Sequence, residues 1–218
     1  MTDAEFKSIC ARLREIGPST VGGALDALGI EGLVVPPIRP CASDQKFAGP
    51  AFTVNVAVGA LGTFAPEEFD IPAYVDKAAL GKVIAIDAGG AMVSMMGGAA
   101  ATAAKLRGVA GIVVDGGVRD LSEIVDSGMD LFVKHAAPVS GRTRVRTVTQ
   151  VPIKLENVTV HPGDILVGDS TGVVCIPRAR LAEVFARAEK AEAMDRVIFE
   201  NVRKGMGIGE AARTAKCG

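Results

Sequence analysis

One segment, GIVVDGGVRDLSE at residues 111–123, constrains this chain more than any other. Ile112, Val113 and Val114 form an uninterrupted apolar run, which suits a short strand covered on both faces and hence an α/β fold. The pattern predicts that strand, a tight Asp115-Gly116-Gly117 turn, and then Arg119 and Asp120 at the mouth of a helix. Charges placed where a buried strand ends mark a site. Arg119 offers a planar cationic fork for a carboxylate, Asp120 offers hard oxygen ligands, and Glu123 follows three residues on, over the same helical face. The same letters also spell a D-x-x-E capping box, in which Asp120 caps the helix and Glu123 reaches back to a free amide. A cap has no need of Arg119.

Several function classes are disfavoured by composition. With 49% apolar residues and a formal net charge of -1, the chain lacks the basic excess of a nucleic-acid partner. The four cysteines, Cys10, Cys41, Cys175 and Cys217, show no C-x-x-C spacing, and with only two histidines a zinc site is not expected. The amphipathic, charged N-terminus is unlike a signal peptide, and no apolar run approaches the roughly 20 residues of a membrane helix. A cytoplasmic protein with reduced thiols is the expectation. Trp is absent and Tyr occurs once, so ligand recognition should fall to main-chain groups and charges rather than aromatic stacking.

In chain order, Phe6, Ile9, Cys10, Leu13 and Ile16 recur at helical spacing and stop at Gly17-Pro18. A second helix, capped by Ser19 or Thr20, runs to about Leu28, with Asp26 on a solvated position. Residues 34–48 read as a surface connection and residues 51–58 as a strand. A helix is expected within 67–80, ending at Gly81. Residues 82–87 form a second buried strand, and 88–98 a Gly-rich loop before a small-residue helix at 99–106. That loop lacks both G-x-G-x-x-G and the P-loop spacing, which argues against a nucleotide site. Amides opening the helix near Met96, Gly97 and Gly98 can still receive a small carboxylate. A further strand covers 130–133, and 137–146 is a basic connection whose Arg142, Arg144 and Arg146 alternate as a solvated face. Four short strands follow at 151–153, 158–160, 165–167 and 173–176, with His161 in a surface turn. A long helix at about 179–204 closes the pattern, its apolar side including Leu181, Val184, Phe185, Ala188, Met194, Val197 and Ile198.

Residues 81–87, Gly97 and the run 103–120, together with 162–164 and 169–177, resemble the family of the regulator of ribonuclease activity A. Its relatives include divalent-metal 4-hydroxy-4-methyl-2-oxoglutarate aldolases, some of which also decarboxylate oxaloacetate. The resemblance is sharpest at 108–120. It implies one domain over 1–218, with a swivelling β/β/α core at about 20–177 and helical extensions at both ends. It also implies trimers or hexamers with sites near subunit boundaries.

By the same resemblance, Arg119 holds the substrate, Asp120 ligates magnesium or manganese, and Glu123 supports a metal-bound water. A 2-oxo acid would lie with its carboxylate on Arg119 and the amides at Met96, Gly97 and Gly98, and the metal would stabilise the pyruvate enolate released by carbon-carbon cleavage. The base for the C4 hydroxyl would come from a neighbouring subunit's C-terminal helix, with Glu192 the first candidate and Glu189 the second. Two departures stand out. Twenty-one residues before the arginine, where the aldolases carry an acid, this chain has Gly98, which removes an anchor for metal water. Gly22-Gly23 replaces an early Ser-Asp pair, pointing to a different substrate. The alternative implied by the resemblance is a non-catalytic regulator that binds a ribonuclease or another protein.

Overall fold

The apolar run at 112–114 does become a strand buried on both faces, but the strand continues straight through the glycines to Val118. No turn forms at Asp115-Gly116-Gly117. These glycines serve close approach instead. A Cβ on Gly116 would stand 2.8 Å from the Ala88 side chain, and one on Gly117 would stand 2.6 Å from Ala137 and 2.7 Å from the Val93 carbonyl. Neighbouring strands can therefore crowd against this one at its C-terminal end.

The structure, a computed structural model, describes residues 2–34, 38–78 and 80–217. Its helices are α1 (Asp3–Ile16), α2 (Pro18–Asp26), α3 (Ile71–Val75), α4 (Gly98–Leu106), α5 (Leu121–Asp126), α6 (Leu181–Arg203) and α7 (Ile208–Cys217). The strands are β1 (Leu33–Val34), β2 (Arg39–Pro40), β3 (Phe47–Val58), β4 (Val83–Ser94), β5 (Gly111–Val118), β6 (Leu131–Ala136), β7 (Val145–Thr149), β8 (Ile153–Leu155), β9 (Val158–Val160), β10 (Ile165–Asp169) and β11 (Gly172–Ile176).

Strands β3, β4, β5 and β6 pair in parallel, in that order, linked by α4 and α5 as β-α-β crossovers. The antiparallel strands β10, β11 and β1 extend the sheet from the first residues of β3, while β7 pairs with its last residues. The twelve-residue β3 thus belongs to both regions. Strand β2 closes the far edge beside β6.

Three cores follow from this arrangement. Ile84, Ile86, Ile112 and Val114 face α3, α4 and α5, and the alternate residues Ala85 and Val113 face the β8–β9 hairpin with Leu155 and Val160. Burial of alternate residues on opposite sides is why the run reads as continuously apolar. A third cluster packs α1, α2 and the first half of α6 onto β10 and β11 through Leu13, Leu25, Val167 and Val184.

Other expectations need correction. Helix α2 starts at Pro18 with Gly17 as its cap, so Ser19 and Thr20 lie inside it and cap nothing. Pro at the first helical position costs no hydrogen bond, and its fixed φ favours that start. Residues 88–94 extend β4 rather than forming a loop; positive φ values at Gly89 and Gly90 and two register shifts against β5 absorb the irregularity. The helix expected within 67–80 is reduced to a 3-10 turn (Pro66–Glu68) and α3. Arg39–Pro40 pairs with β6 within the expected surface connection, while residues 35–37 of that connection and Ala79 of the expected helix lie outside the described residues. Helix α7 was not anticipated. No helix among the described residues is long and apolar enough to cross a membrane.

Candidate active site at the ends of the parallel strands

The C-terminal ends of β4, β5 and β6 meet at one edge, where open α/β sheets place their ligands. Ser94 ends β4 and is buried among three backbone connections. Its hydroxyl donates to the Met96 carbonyl at 2.6 Å and accepts from the Arg119 amide at 3.1 Å. Its own amide donates to the Val139 carbonyl at 2.7 Å. Through its hydroxyl and its amide, this one residue ties together the segment before α4, the exit of β5 and the segment after β6. Tyr74, fully buried, adds a hydrogen bond from its hydroxyl to the Met95 carbonyl.

Ser94→Ala leaves the Arg119 amide with only its longer bond to the Met96 carbonyl, at 3.3 Å. The expected cost is about 1–3 kcal/mol of stability, measured by urea unfolding, together with weaker ligand binding at Arg119. A change below measurement error in both would show that the hydroxyl positions nothing.

Asp120 occupies the cap position of α5 with φ 58° and ψ 39°, a left-handed conformation that Asp tolerates better than most residues. It makes no side-chain capping bond. The turn swings its carboxylate back across the site, where Oδ2 accepts from the Gly98 amide at 3.3 Å and lies 3.3 Å from Arg119 Nε. Of the two readings of D-x-x-E, the capping box is therefore not the one adopted.

Gly97 and Gly98 are required by closeness, not by turning. A Cβ on Gly97 would collide with Asp120 Oδ2, and one on Gly98 would collide with the Glu123 carboxylate. The place where an acid at position 98 would begin is already filled by an acid from α5. The two carboxylates, Asp120 and Glu123, converge on the N-terminus of α4, whose positive dipole end favours them there.

A cavity of about 210 Å³ adjoins this cluster, lined by Ser94, Met96, Gly97 and Arg119 together with Pro66, Phe69, Ile71, Ser140 and Arg142. Arg119 and Asp120 also border a second, more open space beside Ala136, Ala137 and Pro138. Met96 and Gly97 thus line the cavity beside Arg119. Gly98 does not line the cavity; its amide is engaged by Asp120. Burial pushes the Cys10 and Cys41 thiols up to about 11, so both are protonated near neutral pH, and neither lines either space.

The acids expected from α6 are elsewhere in this chain. Glu189 is ion-paired with Arg12 of α1, and neither space at Arg119 is lined by α6. Glu192 lines neither space in this chain. The sequence reading also missed Ser94, Ser140 and Arg142. Arg142 was expected on a solvated strand face; it is exposed, but it precedes β7, which begins only at Val145, and it lines the cavity. Its signal in the sequence, an arginine after a glycine behind a parallel strand, becomes readable only when the strand order is known.

The model of the RraA-like family, Aldolase/RraA, matches residues 19–175. The chain belongs to the RraA-like family. A protein from Halalkalibacterium halodurans named "Putative 4-hydroxy-4-methyl-2-oxoglutarate aldolase" is 32% identical over 208 residues, covering 93% of each chain. Protein DlpA of Legionella pneumophila is 30% identical over 217 residues, covering 96% of this chain, which spans only 33% of that longer protein. Among solved structures, an uncharacterized protein from Pseudomonas syringae pv. tomato superposes with a TM-score of 0.84 at 28% identity, covering 94% of this chain and 96% of that one. The RraA-like match begins at α2 and ends in β11, so α1, α6 and α7 lie outside it.

Proposed function

We propose that this RraA-like protein is a divalent-metal-dependent lyase that cleaves 4-hydroxy-2-oxo acids of the 4-hydroxy-4-methyl-2-oxoglutarate type to pyruvate and also decarboxylates oxaloacetate. The observation that carries this reading is the left-handed Asp120, whose carboxylate is turned away from its own helix and toward Arg119, Gly98 and Glu123. Strain at a non-glycine residue, roughly 1–3 kcal/mol, is characteristic of functional positions.

The donor set fits magnesium or manganese. Asp120 and Glu123 are hard oxygen donors on an open face, Asp120 Oδ1 has no hydrogen-bond partner among the described residues, and no histidine or cysteine lines either space. No group of three protein ligands occurs among the described residues, which suits a cation that keeps several waters and is unsuited to zinc. When bound, the cation supplies the positive charge that favours formation of an enolate.

The protein's own groups do the rest. Arg119 binds the carboxylate next to the keto group, and the missing side chain at Gly97 makes room for Asp120 and Arg119 to lie against the start of α4. Ser94 fixes the Arg119 backbone so that the guanidinium enters the cavity from a defined point. Retro-aldol cleavage further requires a base at the C4 hydroxyl, assigned here to Glu192 of the partner subunit in a homotrimer or hexamer. Oxaloacetate decarboxylation needs no such base, so the two reactions separate the roles.

The test is pyruvate release from oxaloacetate by purified protein with magnesium or manganese, and again after chelation. Release above the uncatalysed rate that disappears with chelator and returns with metal is the expected result. No release by folded, metal-supplied protein would overturn the lyase reading and favour the non-catalytic regulator.

A further inference from the structure

We propose that Arg142 is a specificity-determining residue that receives the far carboxylate of a dicarboxylic 2-oxo acid whose near carboxylate lies on Arg119. The inference rests on the lyase reading for the identity of the ligand, though not for the existence of the anion site.

Three arginines alternate along residues 142–146, and their surroundings differ. Arg144 donates to the Ser140 carbonyl at 3.3 Å. Arg146 pairs with Glu68 at 3.6 Å and lies over the Phe64 ring. Arg142 has no carboxylate partner among the described residues, and it lines the same small cavity as Arg119. Arg119 in turn pairs with Asp120, the closest approach being 3.3 Å from Nε to Oδ2. Two arginines lining one cavity place like charges at one site, and an anion between them lowers their mutual repulsion. A ligand with a carboxylate at each end relieves that repulsion and satisfies both forks.

The segment that carries Arg142 is held in place. The Gly141 amide donates to the Ser94 carbonyl at 3.0 Å, and a Cβ at Gly141 would stand 2.9 Å from that oxygen, so the segment lies directly against the end of β4. The Arg142 amide donates to Ser140 Oγ at 3.2 Å. Thr143 takes a φ of 64°, an outlier for a β-branched residue, and its carbonyl accepts from the amides of Gly62 and Phe64 at 3.1 and 3.2 Å. Two hydrogen bonds to the carbonyl of this strained residue fix the backbone next to Arg142. Phe69 and Ile71, both half-buried, give the cavity an apolar wall for the carbons between two carboxylates.

A matched pair of uncleavable probes tests the assignment: 2-oxoglutarate and 2-oxopentanoate, which share a five-carbon chain and differ in the second carboxylate. Calorimetric titration in magnesium buffer is expected to show wild-type protein binding the diacid more tightly, by roughly 10- to 100-fold, the usual range for a charged hydrogen bond. In Arg142→Ala the diacid-to-monoacid ratio collapses toward one, Arg142→Lys recovers part of it, and Arg119→Ala weakens both ligands. A wild-type protein without diacid preference, or an Arg142→Ala protein that keeps it, overturns the proposal. The lyase reading fails separately: if oxaloacetate yields no pyruvate yet Arg142→Ala still abolishes the preference, the anion site stands without the reaction. If pyruvate is released and the preference survives in Arg142→Ala, only the assignment of Arg142 falls.

Discussion

Asp120→Asn is expected to reduce metal-dependent pyruvate release by roughly three orders of magnitude, since a neutral amide is a poor ligand for a hard cation that supplies several kcal/mol of charge stabilisation. The substitution is nearly isosteric. Asn tolerates the left-handed backbone as well as Asp does, and its carbonyl oxygen can still accept from the Gly98 amide. The fold and the oligomer should therefore be unchanged, and thermal unfolding beside the assay separates a chemical loss from a structural one. Full activity in this variant would remove Asp120 from the mechanism and the lyase reading with it.

The second large effect lies away from the site. Lys134 of β6 donates to Asp115 Oδ1 at 3.1 Å and pairs with Glu156, whose own amide donates to Asp115 Oδ2 at 3.1 Å. The Asp115 side chain is 6% exposed and that of Lys134 18%. This triad ties the β8–β9 hairpin to the centre of the parallel sheet, and one cation serves two acids. Lys134→Met strands both carboxylates, which is expected to cost about 3–5 kcal/mol, read by urea unfolding. A loss under 1 kcal/mol would mean that water already solvates the triad.

The pH dependence of this contribution follows from the same contacts. Glu156, and then Asp115, hold the Lys134 ammonium above its ordinary value of 10.5, against the opposing effect of burial. Its stabilisation is therefore complete below that value and is lost as the pH rises through the higher folded-state value. Lys134→Met should consequently flatten the alkaline end of the stability profile.

Reading these elements from the sequence succeeded where one local rule dominates. Helix α1 is capped by Thr2 and Glu5 and stops at Gly17-Pro18, all signals within a few residues of its ends. Strand β5 and the first residues of β4 are visible because both-face burial leaves an apolar run. The sequence reading failed where glycine has two uses. Gly116 and Gly117 were read as a turn and prove to be contact points inside a strand, and Gly89 and Gly90 were read as a loop and prove to be irregularities within β4. A glycine that bends the chain and one that admits a neighbour look alike until the neighbour is known.

The candidate site divides the same way. By itself the sequence determined that Arg119, Asp120 and Glu123 stand together after a buried strand, because three adjacent charges need no tertiary information to be neighbours. It also determined that Gly97 and Gly98 open a helix. Only the tertiary structure decided that Asp120 turns away from its own helix, that Glu123 fills the space above Gly98, and that Ser94 and Arg142 join Arg119. The physical reason is that parallel strands bring their C-terminal ends to one edge, so residues far apart in the chain meet there, and their meeting depends on strand order and on contacts that no local spacing encodes.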